Sequence, residues 1–346
     1  MAKIIEENER IKRKYLRFLT DAKGRDVKTA NKVAAALARF EKSTNHKPFK
    51  KFHVDQAGKF KAHLAACKNP RTNNPLSHAT VDAELRMVKA FIFWLAGQSG
   101  YKSRISYSDA EYFNNSLKSA RIAHTHRPMP HPSLKQCERA FGGMSERTLD
   151  DKRNKAAFAF FILTGGRIKA VTTLRLKHIN LDEWRVFMDA REVDTKFGKT
   201  INSGFYPVSK IYYDCFKAWV THLYDVELFG PEDPLFPKPK MGVVKEKGFQ
   251  NLGLSRFPYA STSKLYEVVK VAFSNVQMPA YTPHNFRRTH GVLFSKHCKT
   301  PDQMNAWRLN FGHKDLITMF QSYMPITQER QFELLKKMRE EGEEEE

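Results

Sequence analysis

Hydrophobic residues recur at helical spacing through the first third of the chain. In the stretch LSHATVDAELRMVKAFIFWLA, apolar residues run from Val81 through Val88 to Leu95 at intervals of three or four residues. This spacing places them on one face of an α-helix. Ser77 precedes the stripe, at a position where a serine side chain caps a helix. Together with shorter stripes upstream, the pattern predicts four or five helices before about residue 118.

The pattern becomes mixed in the second part of the chain. DDKRNKAAFAFFIL predicts a helix that ends at Gly165, and two further helices are expected in SKIYYDCFKAWVTHLYDVE and STSKLYEVVKVAF. WRVFMDAREVDTKFGKTINSGFYPVS alternates apolar and polar residues around a glycine-containing turn, which predicts strands of a small antiparallel sheet. ELFGPEDPLFPKPKMG, with its four prolines, is predicted to be a loop. The expected fold class is mainly α with a small antiparallel β-sheet.

A proline-containing segment separates the two parts. In SARIAHTHRPMPHPS, residues 119–133, prolines occupy positions 128, 130 and 132. Proline is incompatible with a helix interior and favours extended backbone. The segment therefore predicts an interdomain linker between a helical domain of residues 1–118 and a mixed domain of residues 134–340. Residues 341–346 form an acidic tail.

The charge indicates a polyanionic partner. The 346 residues include 59 Lys and Arg against 37 Asp and Glu, a net charge of +22. Residues 1–130 alone carry 26 basic against 11 acidic residues, so the excess is densest in the helical domain. Nucleic acid is the usual partner of such a surface. For the helical domain alone, an ordinary helical bundle with solvated lysines remains the alternative.

Cysteine use and hydropathy exclude several protein classes. The four cysteines are widely separated and form no CxxC pair, which argues against a zinc ribbon and a secreted disulfide framework. No apolar run approaches the roughly 20 residues of a membrane span. The first residues, MAKIIEENERIKRKY, are too charged for a signal peptide. We therefore expect a cytoplasmic protein, associated with the nucleoid if it is bacterial, with no membrane partner.

The densest cluster of candidate functional residues is HNFRRTHG, residues 284–291. Thr282 and Pro283 predict a helix start immediately before it. His284 and Arg287 then share one face of the first turn. A helix N-terminus that carries a guanidinium and an imidazole is suited to bind a phosphate.

Metal binding is the alternative for the same cluster. Histidines recur at positions 284 and 290 within the cluster and at position 297 beyond it. Ligand pairs on one helix need a spacing of three or four residues, and positively charged neighbours repel a cation. We therefore expect neither a metal nor another cofactor.

Further signals occur in a fixed order along the chain. TGGR places an arginine after a flexible turn, TKFGK lies between the two predicted strands, and FGH follows a capping box at Thr300–Gln303. A tyrosine lies ten residues beyond the histidine of FGH. In this order, with HNFRR between TKFGK and FGH, the motifs resemble those of the tyrosine recombinase, or phage-type integrase, family. The ten-residue spacing is similar to that of an integrase subgroup.

The resemblance implies a fold and a set of site residues. The helical domain would be a core-binding (SAM-like) domain, and the mixed α/β domain would be the catalytic domain. The matching catalytic positions are Arg167, Lys196, His284, Arg287, His313 and Tyr323. Lys199, three residues after Lys196, is the alternative for the lysine of the turn.

The family chemistry needs neither metal nor ATP. The arginines would neutralise a pentacoordinate phosphate, and the histidines would bind its oxygens or remove the tyrosine proton. Tyr323 would attack to form a 3′-phosphotyrosine, and Lys196 would protonate the leaving 5′-oxygen. The implied function is site-specific recombination of a mobile element through a Holliday junction. A type IB topoisomerase and an inactive DNA-binding regulator are the alternatives.

The resemblance also implies partners. Double-stranded DNA would be bound by a homotetramer that joins two DNA sites, with a possible accessory directionality factor. After the tyrosine, ITQERQFELLKKMRE places Phe332, Leu335 and Met338 on one face of a helix. That helix would dock on a neighbouring protomer, whereas the simpler alternative is that it closes its own domain.

Overall fold

The chain divides into two compact units, each with its own core. The computed structural model describes residues 5–125, 129–244, 248–317, 320 and 328–344. The first unit spans Met1–Thr125 and the second spans His126–Glu346. Each is described separately below.

The first unit is helical, as the sequence predicts. Its aromatic core includes Phe40, Phe60 and Phe113, whose rings meet edge to face. Ser77 caps the helix that the sequence marks most clearly, because its Oγ accepts the Thr80 backbone N–H at 3.1 Å. The α-helices are α1 (Glu6–Arg17), α2 (Val27–Ser43), α3 (Asp55–Ala66), α4 (His78–Ala96) and α5 (Leu117–His124). A π-helical turn (Phe18–Ala22) and two 3₁₀ segments (Phe49–Lys51 and Tyr107–Phe113) lie between them.

Helix α5 corrects the start of the predicted linker. The sequence predicted extended backbone from residue 119, but α5 continues to His124 and packs against α4. Ser116 caps it by accepting the Ser119 backbone N–H at 3.1 Å. The prolines of this segment begin only at residue 128, and proline restricts just its own residue and the one before it. The prediction was therefore wrong for residues 119–124.

The second unit is mixed, with α7 at its centre. Every residue from Ala156 to Thr164 is buried, and a helix that is apolar on all sides belongs in a core. The helices are α6 (Leu134–Gly142), α7 (Leu149–Thr164), α8 (Ile168–Thr173), α9 (Lys210–Asp225), α10 (Ser263–Asn275), α11 (Pro283–His297), α12 (Pro301–Asn310) and α13 (Gln328–Glu344). The strands are β1 (Ile179–Asn180), β2 (Arg185–Met188), β3 (Ile201–Gly204), β4 (Pro237–Val244) and β5 (Gly248–Pro258).

Three strands form the small antiparallel sheet expected from the sequence. Their order is β1-β2-β3, so β3 is an edge strand, and Val186 lies opposite Ser203. Val186 and Ser203 are both fully buried, and their sequence neighbours face solvent. This alternation is the pattern that predicted the strands.

A second sheet corrects the predicted loop at residues 227–242. Strand β4 begins inside this segment and pairs antiparallel with β5. Pro237 is the first residue of β4, and the register shifts on both sides of Pro239. Strands tolerate proline at their first residue and at bulges. Proline count alone was therefore a misleading signal for a loop.

Candidate active site

A left-handed glycine ends α7 and places Arg167 at the start of α8. Gly165 has φ +58°, and its N–H donates to the Phe161 carbonyl at 2.9 Å. Gly166 has no room for a side chain, because a Cβ there would lie 2.7 Å from Val171 Cγ2. The half-buried Arg167 is the N-cap residue of α8. The rigid end of α7 therefore determines the backbone position from which the Arg167 side chain extends.

Arg287 is buried, and two backbone carbonyls hold its guanidinium. Its side chain is on α11, and the residue is only 3% exposed. Nη1 donates to the Gly165 carbonyl at 2.5 Å, and Nη2 donates to the Phe311 carbonyl at 3.0 Å. The guanidinium carbon lies 4.3 Å from the centre of the Phe311 ring. Arg287 therefore ties the TGGR turn to the end of α12.

His313 follows α12 and contacts Arg287 directly. Its Nε2 lies 3.2 Å from Arg287 Nη2. Arginine has no acceptor, so Nε2 accepts this bond and the imidazole proton is on Nδ1. Burial, followed by the positive charges of Arg287, Arg167 and Lys199, lowers the pKa of His313 to about 4. The imidazole is therefore neutral at physiological pH.

Gly312 allows His313 to reach this position. Its φ is +66°, in the left-handed region that favours glycine. A Cβ at Gly312 would lie 2.5 Å from Ile201 Cδ1 on β3. Both the backbone conformation and the close contact with β3 therefore require glycine in the FGH motif.

His284 is an exposed residue on the first turn of α11. The side chain of Asn285 accepts the Thr282 backbone N–H at 2.8 Å, as part of a capping box that defines the start of the helix. Desolvation lowers the pKa of His284, and nearby cationic groups lower it further. These groups are Arg287, Arg288, Arg167 and Lys196. His284 therefore lies within electrostatic range of three other predicted site residues, Arg167, Lys196 and Arg287.

The two candidate lysines lie on one turn between β2 and β3. Lys196 is exposed, and its Nζ lies 4.8 Å from the ring centre of Phe197. Lys199 is half-buried and belongs to the cationic groups that lower the pKa of His313. Lys196 lines a small cavity together with Arg167 and Arg287. This shared cavity favours Lys196.

Five of the six predicted site residues are therefore brought together around the ends of α7 and α12. The sixth, Tyr323, lies outside the described residues. Sequence reasoning missed the two carbonyls that hold Arg287, because backbone groups leave no mark in a sequence. It also missed Asn310, which lines the same cavity. An asparagine at the end of a helix is common and gave no signal.

His290, to which the sequence assigned no role, is fully buried beneath this cluster. Its ring lies against that of Tyr206, with the ring centres 4.2 Å apart and the planes tilted by 32°, and it meets the Phe311 ring edge to face at 6.1 Å. A Cβ on Gly165 would lie 3.0 Å from its Cδ2. Neither ring nitrogen has a well-formed hydrogen bond among the described residues. The ring therefore supports both residues whose carbonyls bind Arg287.

The described residues contain neither a metal-binding cluster nor a membrane-spanning helix. Over the ranges given above, no three His, Cys, Asp or Glu side chains are placed to share a metal ion. Within the same ranges, no helix combines the length and the hydropathy that crossing a membrane requires.

Comparison with known proteins gives matches only in structure. No family model and no curated protein sequence matches the chain. The structure of the Tn1549 transposon integrase (residues 82–397) with transposon right-end DNA aligns with a TM-score of 0.60 at 13% identity. That alignment covers 96% of this chain and 99% of the other.

A lambda integrase fragment gives a second match. The structure of its residues 75–356, as a dimer bound to a COC′ core site, aligns with a TM-score of 0.56 at 11% identity. The alignment covers 91% of this chain and 94% of that chain. At these identities the likeness concerns the fold. The chain adopts the tyrosine recombinase fold.

Proposed function

We propose that this protein is a site-specific DNA recombinase, an integrase that cuts and rejoins DNA strands of a mobile element. The observation that carries the proposal is the cluster of Arg167, Arg287, His284, His313 and a turn lysine on a tyrosine recombinase fold. The two integrases with this fold described above are bound to DNA in their structures. The net charge of +22 supports the same partner.

The arginines would stabilise the charge of the transition state. A phosphodiester attacked in line becomes a dianionic, pentacoordinate species. Arg167 and Arg287 line one cavity, and two guanidinium groups can bind its oxygens as preorganised donors. Because Arg287 is fixed by two carbonyls, little reorganisation would be needed when the phosphate binds.

Tyr323 would be the nucleophile. Its phenol oxygen would form a bond to phosphorus while the bond from phosphorus to the 5′-oxygen breaks, which gives a 3′-phosphotyrosine. A phenol with a pKa of ~10 needs a proton acceptor at neutral pH. The lowered pKa values of His284 and His313 keep both imidazoles neutral. His284 could therefore take this proton, whereas His313, whose Nε2 already accepts from Arg287, would donate its Nδ1–H to a phosphate oxygen.

Lys196 would complete the step by giving a proton to the departing 5′-oxygen. Its exposed ammonium is on the turn that lines the cavity. Rejoining reverses these transfers with a new 5′-hydroxyl, so the energy of the broken bond is conserved in the phosphotyrosine. Two rounds of exchange between four protomers would pass through a Holliday junction.

The helical unit would be the core-binding domain and the mixed unit the catalytic domain. Four protomers would hold two DNA sites, and an accessory factor could set the direction of exchange. The terminal helix α13 supports assembly, because Phe332, Leu335 and Met338 are 67%, 55% and 66% exposed. An apolar stripe of this kind is suited to dock on a neighbouring protomer.

Removal of α13 tests the assembly. A chain shortened to end at Pro325 should bind a single DNA site but form no tetramer on two sites, by mass measurement of the complexes in solution. The full-length chain is the control. A shortened chain that still assembled into tetramers would contradict docking through α13.

Trapping of the covalent intermediate tests the proposed chemistry. Nicked DNA substrates that lose a short fragment after cleavage prevent rejoining, and the protein–DNA adduct should appear on a denaturing gel. Tyr323→Phe should form none, since it lacks the nucleophilic oxygen. Adduct formation by this variant would show that a residue other than Tyr323 is the nucleophile. If the unaltered protein formed no adduct on its cognate site, the proposed strand-cleaving activity would be contradicted.

A further inference from the structure

A side-chain amide joins the end of α12 to the edge strand of the three-stranded sheet. Asn310 Nδ2 donates to the Gly204 carbonyl at 2.9 Å, and Asn310 Oδ1 accepts the Gly204 backbone N–H at 2.6 Å. The amide therefore pairs with both backbone groups of one residue, as a neighbouring strand would. Because β3 is the edge strand, Gly204 can bond outward in this way.

A second contact to β3 comes from Gly312, two residues after Asn310. Gly312 approaches the Ile201 side chain so closely that a Cβ there would lie 2.5 Å from Ile201 Cδ1. Ile201 and Gly204 are the first and last residues of β3. The tract from Asn310 to His313 therefore holds β3 at both ends.

This contact connects the two sides of the candidate site. The same tract contains His313 and the Phe311 carbonyl that binds Arg287. Strand β3 begins two residues after Lys199, so its position determines where the Lys196 turn leaves the sheet. Asn310 itself lines the cavity with Lys196 and Arg287.

We propose that Asn310 is a positioning residue, which fixes the place of the lysine turn relative to the arginine and histidine that would bind the scissile phosphate. The inference rests on the proposed function and extends it to proton delivery at the leaving group. An amide suits the task because it offers one donor and one acceptor side by side. A carboxylate at this position would face the Gly204 carbonyl with a negative oxygen and lose one of the two bonds.

The test compares two leaving groups. In a DNA substrate with a bridging 5′-phosphorothiolate, a thiolate leaves and needs no proton from the protein. Asn310→Asp and Asn310→Ala should cleave an ordinary phosphodiester about 10²-fold more slowly, as expected when proton transfer is impaired. Both should cleave the phosphorothiolate within a few-fold of the unaltered protein. Lys196→Ala should show the same rescue.

The matched control is Asn305→Asp, the same change on the same helix. Asn305 is exposed, and its Oδ1 accepts from Arg308 Nε at 2.9 Å within the same helix. It should cleave both substrates at the rate of the unaltered protein. Combining Asn310→Asp with Lys196→Ala should slow cleavage no further than Lys196→Ala alone, since residues that act as one unit are not additive.

The outcomes separate this inference from the proposed function. If the Asn310 variants cleave the phosphodiester at an unchanged rate, or remain equally slow on both substrates, Asn310 does not position the lysine turn. In either case the unaltered protein would still form its adduct and the proposed function would stand. If the unaltered protein forms no adduct with either substrate, the proposed function fails and the inference fails with it.

Discussion

At the scale of single residues, the candidate site shows a division between groups that touch the cavity and groups that hold them. Arg287 is held by two carbonyls and a phenylalanine ring, and its own donors determine the tautomer of His313. The residue types at both positions could be predicted from the HxxR and GH motifs. Their hydrogen bonds could not, since these depend on the path of the backbone at Gly165 and Phe311.

His290 should make the stability of the protein sensitive to acid. Burial, followed by the charge of Arg287, lowers the pKa of His290 to about 3, whereas in the unfolded chain it has the ordinary value near 6.5. The unfolded state therefore binds the proton more readily, so stability is highest above pH 6.5 and falls as the pH decreases toward 3. Between pH 7 and pH 5 this group alone should cost about 2 kcal/mol.

The comparison that isolates His290 uses His290→Phe, which keeps an aromatic ring against Tyr206. Urea denaturation at both pH values should show a smaller loss of stability in this variant than in the unaltered protein. His313, whose pKa is also lowered, contributes equally to both proteins. An identical loss in the two proteins would mean that His290 is not the group that titrates.

At the scale of secondary structure, the sequence predicted elements well where hydrophobic residues recurred with a single spacing, either helical or alternating. The helical spacing in α4 and the alternation in β2 and β3 each reflect one buried face. The ribbon β4–β5 was missed because its exposed residues interrupt the alternation and prolines begin it. What holds the ribbon is a long-range contact to α7, and no local pattern encodes such a contact.

Arg153 on α7 anchors this ribbon. The residue is 1% exposed, and its Nη1 donates to the Pro237 carbonyl at 3.1 Å and to Asp150 Oδ1 at 2.7 Å. Its guanidinium carbon lies 5.3 Å from the ring centre of Tyr259, just after β5. The first residue of β4 and the residue after β5, which lie together at one end of the ribbon, therefore both meet one buried cation.

Replacing this cation should release the ribbon. Arg153→Met should lower the free energy of unfolding by about 2 kcal/mol, because the Pro237 carbonyl and the partly exposed Asp150 both lose a charged hydrogen-bond donor. Hydrogen exchange should accelerate in residues 237–244 and 248–258 beyond the change elsewhere. Lys152→Met, an exposed neighbour on the same helix, is the control and should change neither quantity. Unchanged exchange in the ribbon of Arg153→Met would contradict the anchor.

At the scale of the whole molecule, charge and division into two units could be predicted from composition and from the prolines. The boundary was misplaced by several residues, because α5 packs on α4 and extends the first unit to Thr125. The fold followed from the order of motifs, although the related structures share only 11–13% identity with this chain.

The charge predicts a steep dependence of DNA affinity on salt. Each phosphate neutralised by a lysine or arginine releases a counterion, so the logarithm of the association constant should fall by about 0.9 per contact for each tenfold rise in salt. Fluorescence anisotropy with a labelled duplex between about 50 and 200 mM salt measures this slope. An affinity that hardly changes over this range would contradict a DNA-binding surface of this charge.

The complete burial of α7 has a consequence for control of the reaction. The residues of α7 from Ala156 to Thr164 contact the core on every side, so the helix is held rigidly in place. Arg287, which donates to the Gly165 carbonyl at the end of α7, is held with it. Switching such a site on or off by shifting this helix would disrupt the core of the unit. Control by assembly would therefore have to act elsewhere, as on the exposed Lys196 turn, and the arginines proposed to bind the phosphate would stay in place throughout.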